Sequence, residues 1–292
     1  MNPDAIAPPL RSPRQHLPAL DGLRGLAILA VMCHHLLPPN YPNGIPNGAV
    51  GIVVKVFYRF FDIGWWGVDL FFVLSGFLIT GILLEAKGSA HYFRNFYARR
   101  TLRIFPLYYG VLVLLFVVLP WLAATPVTRL GTEHFAADLL EVSRANAPLQ
   151  GWLWFYGANI RMAMAPDGWV FGLLTHFWSL SVEEHFYLVW PVVVFCCSPK
   201  TLARVCLGVA AAAMFCRLGF LVGGLAPAYI YVTSPCRFDG LVLGAFVAVL
   251  IELWKDRAAA GNEDGNKIRP GFAQSVLLLF RIEPPGGAPS TL

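Results

Sequence analysis

Residues 17–36 read LPALDGLRGLAILAVMCHHL. Twenty residues at about 1.5 Å each give about 30 Å of helix, the thickness of a bilayer's hydrocarbon core. Two ionisable side chains, Arg24 and His35, interrupt this apolar stretch. Eleven steps of about 100° bring a helix back to within about 20° of its starting face. The guanidinium and the imidazole therefore share one stripe, offset by about 16 Å, or three turns. Lipid makes an ionisable group costly, so such a residue within a span marks a functional site. His34 points about 100° away and is read as accessory.

The rest of the chain has the same character. Of its 292 residues 57% are hydrophobic and only 13% charged, which excludes an ordinary soluble domain and predicts a polytopic membrane protein. Apolar helical runs fall at about Leu17–Leu37, Ile63–Leu84, Ile104–Leu122, His176–Cys197, Ala203–Val222 and Phe238–Trp254. The expected fold is thus all-α, a transmembrane bundle of about six spans. The apolar run Ala49–Tyr58 is too short to cross. The first 16 residues, Pro-rich with Arg11 and Arg14, lack the apolar core of a cleavable signal peptide. They are read as a cytoplasmic tail, and the first span as the insertion signal. With that orientation, cytoplasmic segments hold fourteen Lys and Arg; external loops hold five, Lys55, Arg59, Arg129, Arg144 and Arg161. The segment 123–175 becomes a long, Trp-rich external loop, expected to lie as an ordered cap at the interface. Residues 17–254 form the membrane domain. Residues 255–292 read as a polar, disordered or aberrant tail, whose apolar run Gln274–Phe280 is too short to span.

The net charge of +5 is modest, so the basic residues are topology signals and anion ligands rather than a nucleic-acid surface. Six cysteines show no metal-ligand pairing and read as small apolar residues, so no metal is expected. No oligomeric state follows from the sequence.

Four further groups carry chemistry. The stretch YFRNFYARRTLRIFPLYY (92–109) places Arg99, Arg100 and Arg103 within one helical turn. Three planar guanidiniums suit phosphate groups; the plain alternative is an anchor for lipid headgroups. In HFWSLSVEEHFYLVWP (176–191), Glu183 and Glu184 lie in the first turns of a helix, on the same membrane side as His35. A carboxylate near an imidazole can orient it and raise its basicity; interfacial solvation is the alternative. Ser181 in the same block counts as supporting. Asp69, near the outer end of the second span, is a candidate for pairing with a basic group. Arg237 and Asp239 open the sixth span and read as an ion pair, while Arg217 in the fifth span has no evident partner.

These pieces in this order resemble the membrane-bound acyltransferase family 3, the O-acetylases of bacterial cell-surface glycans. The resemblance is carried by LDGLRGLAILAVMCHH, WWGVDLFFVLSGFLITGILL, ARRTLRIFPLYY, HFWSLSVEEHFYLVWP and CRFDGLVLGAF, from Leu17 to about Ala248. It implies a bundle of about ten helices in the bacterial cytoplasmic membrane. It also implies an acyl-coenzyme A donor, with acetyl the simplest choice, and a hydroxyl acceptor on an extracytoplasmic glycan. By motif, His35 and Arg24 match the family's essential pair, Arg99, Arg100 and Arg103 its basic motif, and Glu183/Glu184 its carboxylate block. His185 stands where the family often has Gln, and the family's last helices are not found here. The resulting expectation places the donor phosphates on Arg99, Arg100, Arg103 and Arg24. His35 takes the acceptor's proton, and Glu183 or Glu184 holds its imidazole. The competing classes are a transporter of an acylated molecule, with these residues as a proton relay, and a non-catalytic membrane protein that binds coenzyme A or glycan.

Overall fold

A computed structural model describes residues 18–36, 48–124, 133–165 and 169–260; the amino-terminal tail, residues 1–16, and the run Gln274–Phe280 lie outside them. All regular structure among the described residues is helical. The twelve α-helices are α1 (Pro18–Leu36), α2 (Ala49–Asp62), α3 (Trp66–Ala86), α4 (Tyr92–Val113), α5 (Leu119–Ala123), α6 (Glu133–Asn146), α7 (Gln150–Trp154), α8 (Ala158–Ala163), α9 (Phe177–Cys196), α10 (Pro199–Val222), α11 (Pro227–Val232) and α12 (Ser234–Ala260). Among the described residues, three rods are long and apolar enough to cross a membrane: α3, α10, and Tyr92–Ala123, in which a π-helical stretch at Leu114–Val118 joins α4 to α5. The span expected at 104–122 is thus the far part of a longer rod that starts before the arginine cluster. Helices α1, α9 and α12 have 19, 20 and 27 residues and carry the charged side chains.

Small residues set how closely the helices approach, as they do where lipid supplies no hydrophobic drive between helices. The helices α3 and α12 run parallel. A Cβ on Gly76 would overlap the Leu241 carbonyl, and one on Gly244 the Val73 carbonyl. Helix α1 packs antiparallel on the start of α3, where a Cβ on Gly67 would lie 2.5 Å from the Ala27 carbonyl oxygen. The buried core, including Phe72, Leu83, Val182, Tyr187, Leu241 and Val249, fills the space between α3, α9 and α12.

At the far end, Lys87 just beyond α3 donates to the carbonyls of Val194 at 2.8 Å and Cys197 at 2.5 Å. Val194 belongs to the last turn of α9 and Cys197 caps it, so both carbonyls lack an intrahelical donor. Lys87→Met removes both bonds while keeping an apolar stem. It should cost about 2 kcal/mol, within the range for hydrogen bonds to charged groups. A lowered unfolding midpoint in a thermal scan of the detergent-solubilised protein checks it.

In the segment 123–175, expected as a cap, the described residues Leu153, Met162, Phe171 and Leu174 are buried against the bundle. Helix α2, 14 residues and about 21 Å long, does not cross, and exposes Val50, Ile52, Val53, Val56 and Phe57. Of the segment 255–292, expected to be a polar tail, the structure describes residues 255–260. The residues KDRAAA are good helix formers and continue α12 to Ala260, with Lys255 buried and paired to Glu252 at 3.3 Å.

Candidate functional site

Two turns into α9, Glu183 and Tyr187 are four residues apart and so share a face. That face meets Ser75 at mid-length in α3. The Tyr187 hydroxyl donates to Glu183 at 2.9 Å and lies 3.2 Å from the Ser75 hydroxyl, which in turn bonds the carboxylate. Helix α1 contributes Arg24, whose guanidinium donates to Ser75 Oγ at 3.4 Å and lies over the Phe71 ring. Helix α4 contributes Arg100, stacked 4.1 Å from the centroid of Tyr187. Its buried Nε–H has no acceptor among the described residues. The buried Glu183 carboxylate thus sits in the field of two guanidiniums, Arg100 and Arg24. A lone charge at this depth would be strongly unfavourable; four helices supply its partners.

His35 occupies the last turn of α1 and is exposed. Its ring neighbours are His34 at 5.5 Å and His176 at 6.2 Å. The expected carboxylate beside the imidazole is not what the fold supplies. Seven residues separate His176 from Glu183, about 10 Å along the helix axis, which carries the carboxylates past His35. Glu183 faces Arg24 and Arg100 instead, and Glu184 faces the cap, within the electrostatic reach of Tyr108, Tyr109 and Tyr156. The sequence reading gave His176 no role, although it opens the same block as the two glutamates.

The three arginines do not form one cradle. Arg99 and Arg103 are exposed, whereas Arg100, one step of about 100° around the helix, turns inward to Tyr187. Arg103 still acts electrostatically on Arg24. The expected Arg237–Asp239 pair is also replaced. Residues two apart on a helix point about 200° from each other, so these two cannot meet. Arg237 faces α3 and pairs with Asp69. Asp239 faces α10 and accepts from Arg217 at 2.5 Å, and Arg217 also donates to the Cys236 carbonyl. The Ser181 hydroxyl donates to the Phe177 carbonyl at 3.0 Å, a bond within its own helix.

Above this cluster the cap forms an open cavity of about 460 Å³, lined by Trp152, Phe155, Ile160 and His185 among others. His185 Nδ1 lies 2.9 Å from the Ser234 hydroxyl, which also accepts from Asn159 at 2.9 Å. A backbone bond ties His185 to Tyr156 as well. Tyr156 has φ +53°, a left-handed conformation costing about 1–3 kcal/mol in a non-glycine residue. Its ring stacks 4.2 Å from that of Tyr108, and burial pushes its phenol pKa up.

Comparison with known proteins bears on this arrangement. Residues 17–262 match the acyltransferase domain family. The chain is 30% identical over 253 residues to the peptidoglycan O-acetyltransferase OatA of Listeria monocytogenes, covering 82% of this chain and 34% of the relative. It is 30% identical over 284 residues to the provisionally named peptidoglycan O-acetyltransferase YrhL of Bacillus subtilis, covering 92% of this chain and 38% of that protein. The chain therefore spans little more than a third of the length of these curated relatives. No solved structure matches. The match takes in the helices that carry Arg24, His35, Asp69, Arg100, Glu183 and Arg237, so this all-helical membrane bundle belongs to the acyltransferase family.

Proposed function

We propose that this chain transfers an acetyl group from acetyl-coenzyme A to a hydroxyl of a cell-surface glycan, with His35 as the general base. The observation that carries the reading is the placement of His35. It is exposed at one end of the α1 stripe, three turns from an Arg24 that is fixed in a buried polar cluster. Both are the residues expected to act in the family the chain matches. The orientation with the amino terminus in the cytoplasm follows from the excess of Lys and Arg on that side. Arg99 and Arg103 are then exposed at the cytoplasmic mouth, where a charged nucleotide can arrive but not cross. The thin pantetheine arm covers the remaining distance past Arg24. At the outer end His35 accepts the acceptor's hydroxyl proton as its oxygen attacks the thioester carbonyl. The C–S bond breaks, and the proton on the imidazolium leaves with the thiolate, giving ester and free coenzyme A. Glu183, bonded by Tyr187 and Ser75, keeps Arg24 and Arg100 in place rather than touching the base. The names of the relatives favour an amino-sugar glycan of the peptidoglycan kind as acceptor.

The test uses the protein in lipid nanodiscs with acetyl-coenzyme A, following free thiol with and without cell-envelope glycan. Glycan-dependent release supports transfer. Bound coenzyme A without release rejects it and leaves a donor-binding membrane protein. The double variant Arg99→Ala, Arg103→Ala should raise the KM for acetyl-coenzyme A about tenfold or more with little change in kcat, because charge-assisted phosphate contacts at the mouth are uniform binding.

A further inference from the structure

At the His35 end of the bundle, aromatic rings gather around the Asp69–Arg237 pair. The Arg237 guanidinium lies 4.9 Å from the ring centroid of Tyr231, 5.5 Å from Phe72 and 5.6 Å from Trp178. Tyr231 is in turn the meeting point of Trp178 at 5.0 Å and of Trp65 and Trp169, each at 6.2 Å. The inner members of this group are covered. The outer ones are not: Trp65 is 41% exposed, Trp169 50%, and the Asp69 side chain 46%. Arg237 itself is only 8% exposed, and its buried Nε–H has no acceptor among the described residues. The group adjoins the proposed base. A Cβ on Gly64, the residue before Trp65, would come within 3.0 Å of the His34 Cβ, one residue from His35.

A tryptophan that anchors a bundle in the membrane interface needs only a ring facing lipid and a wet N–H. This group has a different composition. Two exposed indoles flank one phenol over a half-exposed carboxylate backed by a caged guanidinium. A pyranose ring matches that set: its C–H faces lie on aromatic rings, while the hydroxyls around its rim need acceptors and donors. Asp69 accepts from such hydroxyls, and Tyr231 has a hydroxyl to share.

We propose that Trp65, Trp169, Tyr231 and Asp69 form a saccharide subsite that holds the acceptor glycan beside His35. The proposal rests on the acyl-transfer reading for its biological role but not for its test. Two exposed rings bind adjacent sugars of one chain, and the carboxylate accepts from a hydroxyl of one of them. The acceptor is thereby a glycan segment of at least two residues rather than a lone monosaccharide.

The experiment measures equilibrium binding of a radiolabelled β-1,4-linked N-acetylglucosamine tetramer to the full chain in nanodiscs, with acetyl-coenzyme A binding followed in parallel. Wild type should bind the tetramer. Trp65→Ala and Trp169→Ala should each weaken it tenfold or more, with acetyl-coenzyme A binding unchanged as a control for folding. Trp121→Ala, at an exposed indole of α5 that makes no ring contact with this group, should bind as wild type. A wild type that holds acetyl-coenzyme A and not the tetramer overturns the subsite. So does unchanged affinity in both tryptophan variants, and so does an equal loss in Trp121→Ala, which assigns these rings to the lipid interface. If the tetramer binds in the expected pattern while no thiol is released, the acyl-transfer reading falls and the subsite stands.

Discussion

His35→Ala should yield a folded, inserted protein that binds acetyl-coenzyme A and releases no thiol in response to glycan. The side chain sits at the exposed end of α1, so its loss opens no core cavity and leaves the Arg24–Ser75–Tyr187–Glu183 cluster whole. A positioned base contributes about 10² to 10⁴ in rate, so turnover should fall at least a hundredfold. Because the proposed donor contacts lie at the other end of the stripe, the KM for acetyl-coenzyme A should stay within about twofold. His176→Ala provides the contrast. Its ring lies 6.2 Å from His35, close enough to share a bridging water or to orient the imidazole but not to replace it. It should cost about tenfold. A His35→Ala protein that keeps more than a tenth of wild-type glycan-dependent release would remove His35 from the chemistry. Steady-state thiol release, with coenzyme A binding as the control, decides between these outcomes.

Gly244→Val should leave almost no folded protein. The parallel helices α3 and α12 touch backbone to backbone, and a side chain at 244 meets the Val73 carbonyl and the Phe77 amide, neither of which can rotate away. Overpacking in a well-packed core costs about 1–3 kcal/mol when side chains can adjust; here the helices themselves must part. Their separation would also pull Arg237 from Asp69 and empty the interface around Phe72. Gly76→Val, against the Leu241 carbonyl from the other helix, should fail in the same way. Gly208→Ala in α10, where an added Cβ meets nothing within 4 Å, should extract and purify like wild type. Monodisperse yield by size-exclusion chromatography after mild detergent extraction measures all three.

The all-helical membrane character and the shortness of the apolar run at 49–58 were legible because hydropathy and length act locally. So was the placement of Arg24 and His35 on one helix, α1. What the sequence could not supply were the partners across helices. Arg237 and Asp239 look paired in a string and point about 200° apart on a helix; only the parallel packing of α3 on α12 brings Asp69 to Arg237, and only α10 brings Arg217 to Asp239. The two glutamates were likewise expected on the membrane side of His35. The depth of Glu183 along α9 and the face it shares with Tyr187 decide that Arg24 and Arg100 are its neighbours, while Glu184 turns towards Tyr108, Tyr109 and Tyr156. Arg100 shows the same limit: a cluster of three arginines in sequence divides once the helix has an inside and an outside.

The Asp69–Arg237 contact also has a history in the ribosome and the translocon. The carboxylate is synthesised 168 residues before the guanidinium that neutralises it. At about 5–20 residues per second, on the order of ten to thirty seconds pass with α3 made and α12 still to come. During that interval Asp69 must stay at the water-facing end of its helix, which its place in the first turn of α3 allows. Arrival of α12 then does two things at once, clamping its glycines on α3 and drawing Asp69 onto Arg237. A nascent chain stopped short of Ser234 would expose the unclamped face of α3, a mark by which membrane quality control can tell an unfinished chain from a finished one.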